Sequence, residues 1–191
     1  MILVIEGGVG SGKSRLTKEL AKLFPAPVYR AFRGPEDGHN PGKGEPSLAL
    51  LPLHVNSWHE DLYAADAFSI TKPDAVLDRS MPSALAYEEW SHDNREVHTL
   101  QDERQRQVAL HLWKVRMEKA GAAICLMETD SATATKRCNR LSVPQLEKER
   151  RLIRKYVSDL HLPFFLVEND NDTDPTEAAG ALLNWAEHTL R

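Results

Sequence analysis

The sequence predicts one α/β domain: a five-stranded parallel sheet with helices on both faces. Three observations carry that expectation. Five short apolar runs alternate with stretches of helical period along the 191 residues, the order that puts crossover helices between parallel strands. The first of those runs leads straight into a glycine-rich loop and a helix. No composition shift, internal repeat or low-complexity tract divides the chain, so residues 1–191 are expected to form a single unit.

Ile2-Leu3-Val4-Ile5 reads as a buried parallel strand. It runs into Gly7-Gly8-Val9-Gly10-Ser11-Gly12-Lys13-Ser14, a full match to G-x-x-x-x-G-K-[ST], the phosphate-binding loop or P-loop. Glycines let the backbone turn tightly and aim a row of N–H groups inward as an anion nest. Lys13 can reach the β- and γ-phosphates of ATP as a point charge, and Ser14 can hold the Mg²⁺ that bridges them. Leu16, Leu20 and Leu23 recur at helical spacing up to Phe24-Pro25, so a helix opens here and adds its positive end to the anion site. Strand, glycine loop, helix is the setting that gives the motif its meaning, and a P-loop NTPase fold is expected.

A second strand is expected over Pro27–Phe32, then a long loop over residues 33–47 of the kind that binds substrate or forms a lid. A helical pattern runs from Val55 to about Thr71 and is broken by Lys72-Pro73, after which Asp74–Asp78 reads as a third strand ending in a carboxylate. Residues 81–91 look helical. Thr99 with Asp102 resembles an N-cap signal, and Val108, Leu112 and Val115 mark the expected buried face of a helix ending near Gly121. Ala122–Met127 is the fourth strand, followed by a helix over residues 131–137. Ser142 and Gln145 make a capping box for a helix in which Leu146, Ile153, Val157 and Leu160 repeat. Pro163–Val167 is the fifth strand, and Asp174-Pro175-Thr176-Glu177 opens a closing helix to about Leu190.

In open α/β sheets ligands gather outside the carboxyl ends of the strands. Asp78 and Arg79 follow the third strand directly. A carboxylate there can hold Mg²⁺, and an arginine can bind a phosphate with bidentate geometry. The plainer alternative is that Asp78 or Ser80 caps the next helix while Arg79 is solvated. Glu128, at the end of the fourth strand, competes less strongly for a metal role. Arg137 and Arg140 stand beside an expected lid at about residues 138–146 and are candidates for stabilising charge on a transferring phosphoryl group. Lys148, Arg150, Arg151, Arg154 and Lys155 are interleaved with Glu147 and Glu149, which suggests a solvated, ion-paired helix face.

A net charge of −4 gives no global basic field for nucleic acid or an anionic membrane. A nucleic-acid partner therefore stays open only through a local groove. No apolar run reaches spanning length and no leader-type segment precedes Ile2, so a cytoplasmic setting is expected. The two cysteines form no disulfide framework, and Cys125 is expected to be a buried small hydrophobe. The eight histidines show no zinc-type clustering, and no Ser-His-Asp or Cys-His arrangement can be argued.

Glu6-Gly7 running into the glycine loop is similar to the E-G-x-x-G-x-G-K-[ST] opening of the thymidylate kinase and deoxynucleoside kinase branch of P-loop kinases. Leu62-Tyr63-Ala64-Ala65-Asp66 resembles the thymidylate kinase segment L-F-A-A-D-R, and Asp78 to Tyr87 resembles D-R-Y-x-x-S-S-L-A-Y. Met127 to Arg137 resembles the strand and helix leading into that family's arginine lid. The blocks lie in order and touch most of the chain, the first and third being the specific ones.

The resemblance implies an ATP- and Mg²⁺-dependent kinase transferring the γ-phosphoryl group to a deoxynucleoside monophosphate, most directly dTMP. It implies that Arg79 binds the acceptor's phosphate or reacting oxygen. Tyr63, in one segment with Asp66, would stack on the acceptor base, and Tyr87 would lie against the deoxyribose. Arg33 stands where the family has an R-E-P loop; the glutamate is missing, and Glu36 or Asp37 is expected near the acceptor hydroxyl instead. A homodimer is expected from the resemblance alone. Three departures bear on specificity: Val9 replaces an acidic loop residue of thymidylate kinases, Ala67 an arginine, and Ala84 a polar residue near the base. Loss of polar readers relaxes or redirects base choice, and Val9, Ser80 and Ala67 keep a deoxynucleoside, or a hydroxyl on a modified base or nucleic-acid end, open as acceptor. A nucleotide-binding regulator without transfer activity is the rival from another class, and the acceptor-side motifs speak against it.

Overall fold

The computed structural model describes residues 1–29, 62–92, 100–138, 141–169 and 173–190. The elements in chain order are β1 (Ile2–Gly7), α1 (Lys13–Leu23), β2 (Val28–Tyr29), α2 (residues 62–71), β3 (Ala75–Asp78) and α3 (Met81–His92). They continue with α4 (Leu100–Ala120), β4 (Ala122–Glu128), α5 (Ser131–Arg137), α6 (Val143–Leu160), β5 (Phe164–Glu168) and α7 (Pro175–Thr189). The expected strands and helices are all found where they fall within the described residues, with ends shifted by one or two positions. Residues 30–32 of the expected second strand, the loop at 33–47, the first part of the helix from Val55, and Thr99 lie outside the described residues.

The five strands pair in parallel in the order β2-β3-β1-β4-β5. β1 is therefore central, with all six residues buried, which is why it reads as an unbroken apolar run. Leu3 and Ile5 face a layer with Leu16 and Leu20 of α1 and Leu182 of α7. Ile2 and Val4 face the other, with Leu85 of α3, Trp113 and Met117 of α4, and Ile153 and Tyr156 of α6. Alternate β1 residues thus drive both layers, and the strand's carboxyl end sits between those of β3 and β4. Register places Ile5 beside Asp78 and Gly7 beside Met127.

The buried face of α4 is not the expected one. Val108 and Leu112 are 59% and 40% exposed, whereas Ala109, Leu110, Trp113 and Met117 are buried. The bulk of Trp113 and Met117 fills the layer above β1, and Arg106 on the same face is neutralised inside it by Glu88 at 3.0 Å. A cation on the core face breaks the apolar period that sequence reading follows. On α6 the capping box of Ser142 and Gln145 is present, and Leu146, Ile153, Val157 and Leu160 are buried as expected. Among the described residues no helix is long and apolar enough to cross a membrane.

Candidate functional site

The glycine loop leaves β1 and closes at Gly12, which precedes the first residue of α1. Gly10 and Gly12 sit at φ +77° and +93°, left-handed backbone that side chains disfavour. Space forbids a side chain as well: a Cβ on Gly12 would lie 2.1 Å from Asn169 Nδ2. The outer side of the loop is held by hydrogen bonds to its carbonyls. Asn169 Nδ2 donates to the Ser11 carbonyl at 2.6 Å, and Arg137 Nη1 to the carbonyls of Gly10 at 3.3 Å and Asn169 at 3.4 Å. Two amides of the loop are themselves engaged, Ser11 N–H donating to the Gly8 carbonyl at 3.2 Å and Val9 N–H to Glu149 Oε2 at 2.8 Å. Lys13 is buried, its Nζ donating to the Gly8 carbonyl at 2.7 Å and to Ser11 Oγ at 3.3 Å. Burial, and secondly the nearby Arg79 cation, lower its pKa to about 7.

Facing the loop is a network from three other elements. Arg79, just past β3, adopts φ +70° and lays its guanidinium over the Tyr87 ring, 5.3 Å from the centroid. Its Nη1 donates to Tyr87 Oη at 2.8 Å, and Tyr87 Oη donates to Glu149 Oε1 at 2.6 Å. Glu149 Oε2 in turn accepts from the Val9 amide of the glycine loop at 2.8 Å. Arg79 Nη1 stands 3.8 Å from Glu149 Oε1, with both side chains largely buried. Burial opposes the charge on Arg79, but Tyr87 and Glu149 outweigh it and hold the guanidinium protonated; burial likewise pushes the Tyr87 phenol up. Glu6, near the end of β1, is wholly buried and accepts from Ser80 Oγ at 2.6 Å and from Ser83 Oγ. Burial raises its pKa against the pull of those hydroxyls and of Arg79 and Lys13.

The structure thus brings together the loop Gly7–Ser14, Asp78, Arg79, Tyr87 and Arg137, with Asp78 buried at the end of β3 and Ser14 exposed at the start of α1. Two residues do not join the network. Tyr63 is 73% exposed on α2, and Asp66 is bonded to Arg116 of α4. Arg33, Glu36, Asp37 and Arg140 lie outside the described residues. So do residues 139 and 140 of the expected lid, and from Val143 onward that stretch is already α6.

One reading of α6 charge needs correction. Glu149 is not on a solvated face: it is 3% exposed and points at the loop. Glu128, weighed as a metal ligand, is taken by Arg154, whose Nε donates to Oε1 at 2.6 Å. Glu149, Glu6 and Asn169 are the residues that sequence reasoning missed. The signal for Glu149 was its spacing, three after Leu146 and four before Ile153 on the apolar stripe. For Glu6 it was parity with Ile2 and Val4 in a buried strand.

The sequence matches no protein-family model and no curated protein. Solved structures are similar in fold. One is the YorR protein from Bacillus subtilis in complex with phosphorylated GDP, at 15% identity and TM-score 0.62, with 98% of this chain and 96% of that one covered. Deoxyadenosine kinase from M. mycoides with bound dATP gives 18% identity and TM-score 0.65, covering 96% of this chain and 100% of that one. The same enzyme with products dCMP and a flexible dCDP gives 16%, a TM-score of 0.56, and coverage of 98% and 99%. Strand order, glycine loop and these likenesses along nearly the whole length give the chain the P-loop NTPase fold, a five-stranded parallel sheet with helices on both faces.

Proposed function

We propose that the chain transfers the γ-phosphoryl group of ATP to a deoxynucleoside-type acceptor. The observation that carries this reading is the continuous path Arg79–Tyr87–Glu149–Val9, which joins a set of acceptor-type groups to the mouth of the phosphate loop. A loop that only held a nucleotide would have no use for it. The similar solved structures, one of which is called a deoxyadenosine kinase, support the same class.

Catalysis in this reading is positioning and charge stabilisation. Within the loop Gly7–Ser14, amides other than those of Val9 and Ser11, together with Lys13, would grip the donor phosphates. Ser14 and Asp78 are a hydroxyl and a carboxylate at neighbouring element ends, a donor pair that fits Mg²⁺, which keeps water and phosphate oxygens for its remaining positions. Bound there with ATP, Mg²⁺ would neutralise charge on the β- and γ-phosphates. Arg137, already on the loop carbonyls, and Arg140 would lie over the donor. Arg79 would meet the charge that develops on the transferred group. The acceptor oxygen forms its bond to the γ-phosphorus as the bond to the β-bridging oxygen breaks, and the acceptor proton leaves to Glu149 and then to solvent.

Glu149 bears on which acceptor is used. A buried carboxylate beside the Val9 amide suits a hydroxyl, from which it can accept a hydrogen bond, and repels a phosphate dianion. That favours a deoxynucleoside over dTMP as substrate. The monophosphate reading keeps its support in Arg79, a guanidinium able to bind a phosphate bidentately. A nucleic-acid acceptor would draw on the basic groove of about 750 Å³ along α6, but two of its guanidiniums are engaged, Arg154 by Glu128 and Arg150 by the Thr129 carbonyl. The test is γ-phosphoryl transfer from radiolabelled ATP to deoxynucleosides, their monophosphates and short DNA. Phosphorylation of a deoxynucleoside is expected. Transfer to DNA alone, or ATP binding with no transfer at all, would overturn the proposal.

A further inference from the structure

We infer that Glu6 is the positioning residue that holds Arg79 against the donor loop, an inference that rests on the acceptor role proposed for Arg79. The phosphate grip does not use this carboxylate, yet it is wholly buried at the end of the central strand. It accepts hydrogen bonds from Ser80 and Ser83, both fully buried in the first turn of α3 and the residue before it. A serine just ahead of a helix ordinarily caps it with its own hydroxyl. Here the first turn is closed through the backbone, the Ala84 amide donating to the Ser80 carbonyl at 3.1 Å, and the Ser80 hydroxyl reaches across to β1.

Arg79 lies between that tie and β3. It is not a glycine, yet it is held at φ +70°, where an L side chain is strained and persists only if its surroundings enforce it. β1 supplies both constraints. The Ile5 carbonyl accepts from the Arg79 amide at 2.9 Å, and Glu6, the next residue, fixes Ser80 and Ser83. The turn is thereby pinned on both sides, and the guanidinium leaves it toward Tyr87 and Glu149. Arg79 and Lys13 are also the two cations whose charge acts on Glu6. One carboxylate therefore offsets the repulsion between the cation assigned to the donor and the cation assigned to the acceptor.

The test uses Ser80→Ala/Ser83→Ala, Glu6→Ala and Glu6→Gln in the full chain. The double serine variant removes both ties while changing little volume, so it serves where Glu6→Ala does not fold. A displaced Arg79 is expected to lower kcat/KM for the acceptor about 100-fold. In the double serine variant, which keeps the Glu6 charge beside Lys13, ATP affinity measured by titration calorimetry should stay within about twofold, a split that general loss of structure would not give. Glu6→Gln, which keeps an accepting oxygen and the shape, should recover about tenfold of the Glu6→Ala loss. In a crystal structure of the double serine variant, Arg79 should leave the left-handed region and lose its bond to Tyr87. Undiminished acceptor turnover, an equal loss of ATP affinity, or Arg79 unmoved in that crystal would each overturn the inference. If the unaltered chain phosphorylates no acceptor, the proposed function falls alone, and the position of Arg79 in the crystal still decides the role of Glu6.

Discussion

Replacing Glu149 by glutamine should drive donor binding and turnover in opposite directions. The carboxylate accepts from the Val9 amide at 2.8 Å and from Tyr87 Oη at 2.6 Å, and it faces Arg79 at 3.8 Å. A glutamine can accept only one of those two bonds, since its NH₂ must face the other donor. One charge-assisted bond is lost and the other weakens, a destabilisation of about 3 kcal/mol, or a fall in Tm of about 6–12 °C for a chain of this size. The same change removes a buried negative charge from the mouth of the phosphate loop and releases an amide to the triphosphate. At a pH low enough to keep Lys13 protonated without the Glu149 charge, ATP should bind about tenfold more tightly, the gain of one hydrogen bond of roughly 1.5 kcal/mol to a charged group. Turnover of a deoxynucleoside should nevertheless fall by about 10²–10⁴, the usual loss when a general base is removed. Thermal melts, calorimetric titration with ATP and Mg²⁺, and radiolabel transfer read the three quantities separately. Full activity in Glu149→Gln, or ATP affinity weakened tenfold, would refute the reasoning.

The remaining expectations concern the loop, one helix and the thiols. Lys13 faces Arg79, Glu149, Asp78 and Glu6, and burial is the main reason its pKa falls to about 7 from the ordinary 10.5. Below pH 7 folded and unfolded chains both hold the proton; from about 7 to 10.5 the unfolded chain binds more, so this residue's contribution to stability rises with pH in that window. ATP affinity should move the other way, falling above pH 7 as the ammonium is lost, and Lys13→Met should flatten both profiles. Gly12→Ala, which meets Asn169 Nδ2 at 2.1 Å on left-handed backbone, should cost about 1–3 kcal/mol and weaken ATP binding. Gly180→Ala, in α7 with no neighbour within 4 Å of the added Cβ, should instead stabilise by about 0.5–1 kcal/mol, and paired denaturation curves check the contrast. Burial pushes the Cys125 thiol up, and it is fully buried, whereas Cys138 is half-buried. An alkylating reagent should therefore modify Cys138 first in the folded chain, with peptide mass spectrometry as readout; earlier labelling of Cys125 would count against this reading.

What could be read from the sequence divides along the site itself. The donor half is local: β1, the glycine loop and the start of α1 are contiguous, and each residue type there is dictated by backbone geometry or phosphate chemistry. The acceptor half is assembled over distance. Arg79 was legible from its place at a strand end, and Tyr87, eight residues on, only through the resemblance carried by Asp78 to Tyr87. Glu149 was not, since its partner Val9 lies 140 positions away and its neighbours Glu147, Lys148, Arg150 and Arg151 look like a surface charge ladder. Periodicity failed on α4 for a related reason: Arg106 occupies the core face and is matched by Glu88 from another helix, while Val108 and Leu112 look outward. In both helices a charge was buried against a partner that only the fold supplies. The absence of an acidic residue at Val9 takes on meaning in that light. The loop lacks its own carboxylate, and α6 delivers one to the Val9 amide. The helix after the expected lid therefore completes the loop, and under the proposed function acceptor choice would depend on α6 as much as on the glycine-loop motif.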